Sequence, residues 1–187
     1  MARATVVLRD FRAGDAEDAA AVQRWFNNDE VAAGLVGSRD NFDLEAARGW
    51  VERAADTAVG NDDRKWAITI DGNDRAVGFV ALFGIGRTLG PELAVLIGEP
   101  EAWGKGVARE AERQACQHAF GDYGVHRLHA EILATNIPAQ KVVTYLGFRQ
   151  EGLLKKAVLK DGSYIDNQIW GCLPEDFAAA EAARSDG

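Results

Sequence analysis

Ile97-Gly98-Glu99-Pro100-Glu101-Ala102-Trp103-Gly104-Lys105-Gly106-Val107-Ala108 is the stretch on which the fold turns. Before it, Pro91 to Ile97 is nearly all apolar, which predicts a central strand. After it, Ala108, Ala111, Ala115 and Ala119 recur on one face of a predicted helix, small enough to let that helix lie close on a sheet. A strand running into Gly-x-Gly and then a helix is suited to holding a phosphate group. The first helical amides are free to point outward, and glycines remove the side chains that would block approach. The P-loop is excluded, because Gly106 follows Gly104-Lys105 where a Ser or Thr is required. The dinucleotide fingerprint is excluded by Arg109 at its third small position. Gly84-Ile85-Gly86 with Gly90 misses the same spacing and reads as an ordinary connection.

Working outward, residues 4–9 suit a first strand, and Gly14-Asp15-Ala16-Glu17 opens a helix to about Asn27. Asn27-Asn28-Asp29 break it, and a loose passage follows at 34–42 with Gly34, Gly37 and Ser38. Asp43 caps a second helix whose Leu44, Ala47, Trp50, Val51 and Ala54 form one stripe. Residues 64–71 and 75–83 predict strands joined by the turn Asp71-Gly72-Asn73-Asp74. His126 to Leu133 predicts another strand. Asn136-Ile137-Pro138 starts a helix that stops at Gly147. Strands at about 148–158 and 163–171 flank Asp161-Gly162, and an Ala- and Glu-rich segment from Pro174 predicts a short helix with a frayed end at 185–187. The order predicts one α/β domain over 1–187, with its core at about 5–177 and a tail at 178–187.

Four blocks of this order resemble the GNAT superfamily of acetyl-CoA-dependent N-acetyltransferases. Gly106 and Ala108 match the family's glycine motif, with Trp103 standing in place of its Gln or Arg. Asn136-x-x-Ala139 leading to Leu146-Gly147-Phe148 and Glu151-Gly152 is similar to the second motif of the ribosomal-protein N-terminal acetyltransferase branch. Polyamine and amino-sugar acetyltransferases share that look. Asp161-Gly162-Ser163-Tyr164-x-Asp166 resembles the branch's closing hairpin, and Trp25-Phe26-Asn27-Asn28-Asp29-Glu30-Val31 its first-helix ending. The resemblance implies a mixed central sheet of about seven strands flanked by helices. It also implies acetyl-CoA as cosubstrate and direct attack of an amine on the thioester.

An alkylammonium titrates near 10.4 by analogy with lysine, so the reactive neutral amine is scarce at pH 7 and a base must take its proton. The resemblance points to Glu92, at the start of the central strand, as that base; the alternative is a solvated strand-end charge. His118, His126 and His129 have the intrinsic pKa for the task, and His129 shares a strand face with Glu131. The family's usual tyrosine acid falls at Val143, and its serine alternative at Ala139, so Tyr145 is the nearest candidate, and a water or expulsion of the thiolate without a dedicated acid are the others. The resemblance places pyrophosphate on the amides of Gly104, Lys105, Gly106, Val107, Ala108 and Arg109, next to Trp103. Pantetheine then runs beside Leu96-Ile97. Asn136 is a cofactor contact, a helix N-cap, or both. Trp25, Asn28, Asp29 and Asp166 are the candidate acceptor-site residues, Trp25 as a face for a cation or as a core residue, Asp166 as a hairpin support or a substrate contact.

Lys and Arg number 21 against 29 Asp and Glu, a net charge of −8. Such a surface disfavours nucleic acid and anionic membranes and favours a cationic partner. No apolar run approaches the roughly 20 residues needed to span a bilayer. The start turns charged at Arg9 before a signal-peptide core could form. Cys116 and Cys172 are too few for a thiolate cage, so no metal is expected, and both read as buried hydrophobes in a reducing cytoplasm. The acceptor expected is a small cationic amine, an amino sugar or polyamine, with a protein N-terminus as the alternative and a catalytically silent CoA-binding sensor as a third reading. Pairing of two copies is left open.

Overall fold

The computed structural model describes residues 4–35, 42–57, 62–160 and 162–185. Part of the loose passage at 34–42, Asp161 of the expected hairpin turn, and residues 186–187 lie outside the described residues. Along the chain run β1 (Val6–Asp10), α1 (Ala16–Asn27), α2 (Asp29–Ala32), α3 (Leu44–Ala55), β2 (Asp63–Ile70), β3 (Asn73–Phe83), β4 (Glu92–Ile97), α4 (Val107–Gln117), β5 (Leu128–Leu133), α5 (Ile137–Tyr145), β6 (Arg149–Lys160), β7 (Ser163–Cys172) and α6 (Pro174–Ser185).

Local chemistry accounts for most boundaries. Asp15 starts α1 by accepting from the amides of Glu17 and Asp18, and Asp43 starts α3 by accepting from Ala46. Asp71 and Gly72 both hold positive φ, at 55° and 74°, which closes β2 onto β3 with a two-residue turn. At Asn27-Asn28-Asp29 the chain does more than break: Asn28 accepts from Glu30 and Val31 and so opens α2. His126 lies ahead of β5 rather than in it. The expected tail at 178–185 is helical, and Phe177 in the same helix is buried.

The strands form one sheet in the order β1-β2-β3-β4-β5-β7-β6. Every neighbouring pair is antiparallel except β4 and β5, which are parallel and joined by the crossover through α4. Alternation along the strands divides the core between the two faces. On one face Val80, Leu82, Leu93, Leu128 and Ala130 pack with Ala111, Ala115, Val143, Leu146 and Phe177 from the later helices. On the other, Phe79, Ala81 and Leu96 pack with Val22, Trp25, Ala47 and Val51 from α1 and α3. Ala111, Ala115 and Ala119 are fully buried, as the small-residue stripe predicts, while Ala108 is half-buried at the helix start. Among the described residues, no helix is long and apolar enough to cross a membrane, and no group of three His, Cys, Asp or Glu is placed to hold a metal.

Candidate active site

β4 and β5 share a single register pair, Glu92 with His129, and the His129 amide donates to the Pro91 carbonyl at 3.1 Å. Beyond that pair the strands part. Gly98 donates backward to Val77 on β3, so by strand alternation Leu96 also faces β3 and Val95 and Ile97 face the gap. This corrects the expected edge. Leu96 is spent on β3 and buried, and the polar backbone open to the gap belongs to Val95 and Ile97. The Ile97 carbonyl accepts from the Trp103 indole at 2.9 Å, which ties the glycine loop to the strand end.

The glycine turn has the geometry its sequence predicts. Gly104 and Gly106 hold φ of 72° and 78°, and Gly106 is the left-handed N-cap of α4 with no side chain on the helix amides. Those amides are left for a ligand. Val107 is buried, so only its backbone can serve there. Lys105, Gly106, Arg109, Glu110 and Arg113 line a cavity of about 230 Å³ together with Thr5 and Tyr145. The Arg109 guanidinium lies 4.7 Å from the centre of the Tyr145 ring, and that of Arg184 lies 4.4 Å from it. Tyr145 therefore belongs to the cationic surroundings of the glycine turn. Glu92, at the start of β4, instead feels the charges of Glu131 on β5 and Arg87 in the β3–β4 loop. Val143, at the family's tyrosine position, is in the core.

Glu92 is half-buried, and its carboxyl is pushed above the ordinary range by burial and by the charge of Glu131, with Arg87 pulling the other way. Leu93 packs on the α4 face, so Glu92 projects to the α1–α3 face. Leu128, Ala130 and Ile132 likewise leave His129 and Glu131 on that face. Burial and Arg127 lower the His129 imidazole pKa, and its Nδ1 is buried without a partner. His118 pairs with Asp122 at 2.5 Å and stacks on Trp66, on the opposite face, and His126 is exposed before β5.

Asn136 caps α5 by accepting from Ala139 at 3.2 Å, and its amide nitrogen lies close to Gly34 at the end of the first helical region. Trp25 is 0% exposed. Its ring covers Gly98, where a Cβ would collide with it, and its indole donates to Glu99 at 3.1 Å. It offers no face to a ligand, so the core alternative holds. Burial opposes ionisation of Glu99, but hydrogen bonds from Arg24 and Trp25 outweigh it and hold the carboxyl low. Asn28 is engaged as the α2 cap, and Asp29 is exposed on the first turn of α2. Asp166 accepts from the Lys156 amide at 2.7 Å and pins the bulge where Lys156 holds a φ of 50°, the hairpin-support role. Two residues emerge that sequence reasoning did not single out. Lys160 donates from the end of β6 to the carbonyls of Ala32, Ala33 and Leu35, and Asn167 on β7 donates to Glu131 at 2.8 Å. Neither matches a motif, because each acts on a partner far away in the chain.

A parted pair of parallel strands, a free strand edge and an uncapped glycine turn make a groove for an extended, phosphate-bearing ligand. Residues 5–149 match the acetyltransferase (GNAT) domain family. The chain belongs to the GNAT acetyltransferases and is an acetyltransferase enzyme. A probable N-acetyltransferase of Bacillus subtilis, YjcK, is 26% identical over 175 residues, covering 92% of this chain and 96% of that protein. The fold superimposes on spermidine N-acetyltransferase from Vibrio cholerae in complex with CoA and spermine, with a TM-score of 0.80 and 20% identity over 92% of this chain and 98% of that one. It also superimposes on Mycobacterium smegmatis RimJ in complex with CoA-disulfide, with a TM-score of 0.81 and 21% identity over 98% of this chain and 92% of that one. At that identity the two structures speak for the fold. The family's acetyl donor is acetyl-CoA. The residues present fit it: open amides and cationic side chains at the glycine turn suit phosphates, and the edge at the Val95 backbone and the Ile97 amide suits an amide-bearing arm.

Proposed function

We propose that this enzyme transfers the acetyl group of acetyl-CoA directly to the primary amine of a small cationic acceptor, such as an amino sugar or a polyamine. The observation that carries the reading is Glu92, a half-buried carboxylate beside the point where β4 and β5 part. A carboxylate there attracts an ammonium, and its raised proton affinity makes it a better acceptor for the ammonium's proton. Lys160 supports a closed pocket over an open peptide groove. It ties the β6–β7 hairpin to the end of α2, so the two segments approach on the acceptor side.

Bound acetyl-CoA supplies an activated thioester. The chain's part is to hold the phosphates on the amides from Gly104 to Arg109, align the arm along Val95 and Ile97, and take the amine's proton on Glu92. Alignment of the two reactants supplies much of the remaining rate. With Val143 buried and Tyr145 held among arginines, no side-chain acid is assigned to the departing thiolate, which leaves with a proton from water or without a dedicated acid.

A thiol-release assay across polyamines, aminoglycosides and Ala- or Ser-starting peptides tests the reading. Turnover is expected on the small amines. Turnover confined to peptides, or none, overturns it. Glu92→Gln is expected to lower kcat by about 10²-fold or more and to remove the acid limb of the pH profile, an effect within the range for general bases. That limb lies above the ordinary glutamate range in the parent enzyme, since activity is lost as pH falls through the raised pKa. Full activity in the variant would exclude Glu92 as base.

A further inference from the structure

Asn167 is 2% exposed, yet its side chain is an amide. Its nitrogen donates to Glu131 Oε2 at 2.8 Å, and its oxygen is buried without any partner. A buried amide that leaves one of its polar atoms unmet calls for an explanation beyond packing. The one bond it makes fixes an exposed carboxylate on β5. Glu131 lies two residues beyond His129, the register partner of Glu92, and projects to the same sheet face. The charge of Glu131 acts on the Glu92 carboxyl, so the two carboxylates are electrostatic neighbours on one sheet face where the strands part, one half-buried and one exposed. Two cations on neighbouring segments are otherwise placed. Arg127 is bound to Glu151 at 2.8 Å, and Arg87 acts on Glu92 from the exposed loop before β4.

We infer that Glu131, held in place by Asn167, is a specificity-determining residue that binds a second ammonium of the acceptor while Glu92 receives the reactive one, so that the site selects diamines over monoamines. The inference rests on the proposed acetyl transfer to small amines and narrows it. A monoamine of the same length satisfies one carboxylate and leaves the other without a counter-charge. Asn167 is a positioning residue: it restricts the Glu131 carboxylate to one orientation, so less freedom is lost when the second ammonium binds.

The test compares 1,5-diaminopentane with pentylamine, by kcat/KM with acetyl-CoA and by calorimetric binding to the protein–CoA complex. The parent enzyme is expected to favour the diamine by about tenfold or more, equivalent to 1.4 kcal/mol. Glu131→Gln, an isosteric change at an exposed position, is expected to erase that ratio. Asn167→Ser is expected to reduce it, a readout that a purely structural role for Asn167 would not move. A ratio unchanged in Glu131→Gln overturns the inference, whatever happens to the absolute rates. So does a parent enzyme that binds and turns over both amines equally, although acetyl transfer to small amines would then stand. Preferential diamine binding that Glu131→Gln erases, without turnover of either amine, supports the paired site and overturns the proposed reaction instead.

Discussion

Glu112 is a carboxyl group sealed inside the face of α4, 5% exposed and with one oxygen unpartnered. Burial raises its pKa from 4.5 to about 8. The unfolded chain releases this proton near pH 4.5, whereas the folded protein keeps it until about 8. The folded state therefore binds more protons between those values, and stability falls as pH rises through that window, by about 5 kcal/mol in all. Glu112→Gln removes the titration and is expected to flatten the pH dependence of urea unfolding between pH 5 and 8. An equally steep dependence in the variant would contradict this. Nothing in the sequence marks Glu112, since a helical glutamate reads as solvated until its neighbours are known. Asn136 was legible because capping is local. Trp25 was not, because its burial depends on Gly98, far along the chain and next to the glycine turn.

At the scale of elements, the glycine turn was the most legible feature, and its mechanism makes a clear prediction. A side chain at Gly106 must adopt a φ of 78°, which costs about 1–2 kcal/mol for an L-residue, and its Cβ would crowd Arg109 at 3.3 Å. Gly106→Ala is expected to raise the KM for acetyl-CoA more than that for the acceptor, while lowering stability by that modest amount. Equal effects on both KM values would show that the turn serves the helix alone. The parting of β4 from β5 was not legible. Periodicity marks both as strands, but pairing is a relation between them that neither segment carries alone. For the same reason the expected edge contact shifts by one residue, from Leu96 to Val95. Alternation assigns residues to two sides, and only the pairing with β3 says which side is spent.

Across the whole molecule, the last helix closes what the sequence presented as a tail. Phe177 is buried against Phe120, Arg113 pairs with Glu181 at 3.0 Å, and Arg184 donates to the Tyr145 carbonyl at 2.6 Å. Phe177→Ala is expected to destabilise the protein by about 3 kcal/mol, a typical cost for a large cavity, and to lower Tm by roughly 6–12 °C for a chain of this size. An unchanged Tm would mean that α6 is not part of the cooperative core. The net charge of −8 is likewise unevenly spent. Lys105, Arg109 and Arg113 gather at the glycine turn, and Glu92 and Glu131 lie on the α1–α3 face of the sheet. An anionic donor and the cationic acceptor proposed above are thus compatible with one acidic protein, since charges a few ångströms away outweigh a net charge screened over about 10 Å. By itself the sequence determined the order of strands and helices, their caps and turns and the glycine turn, because each depends on neighbours within a few residues; Glu92 as candidate base came from the resemblance to the family. The tertiary structure alone decided which strands part, which carboxylates share a face and which aromatic is buried, because those depend on contacts between segments that only packing brings together.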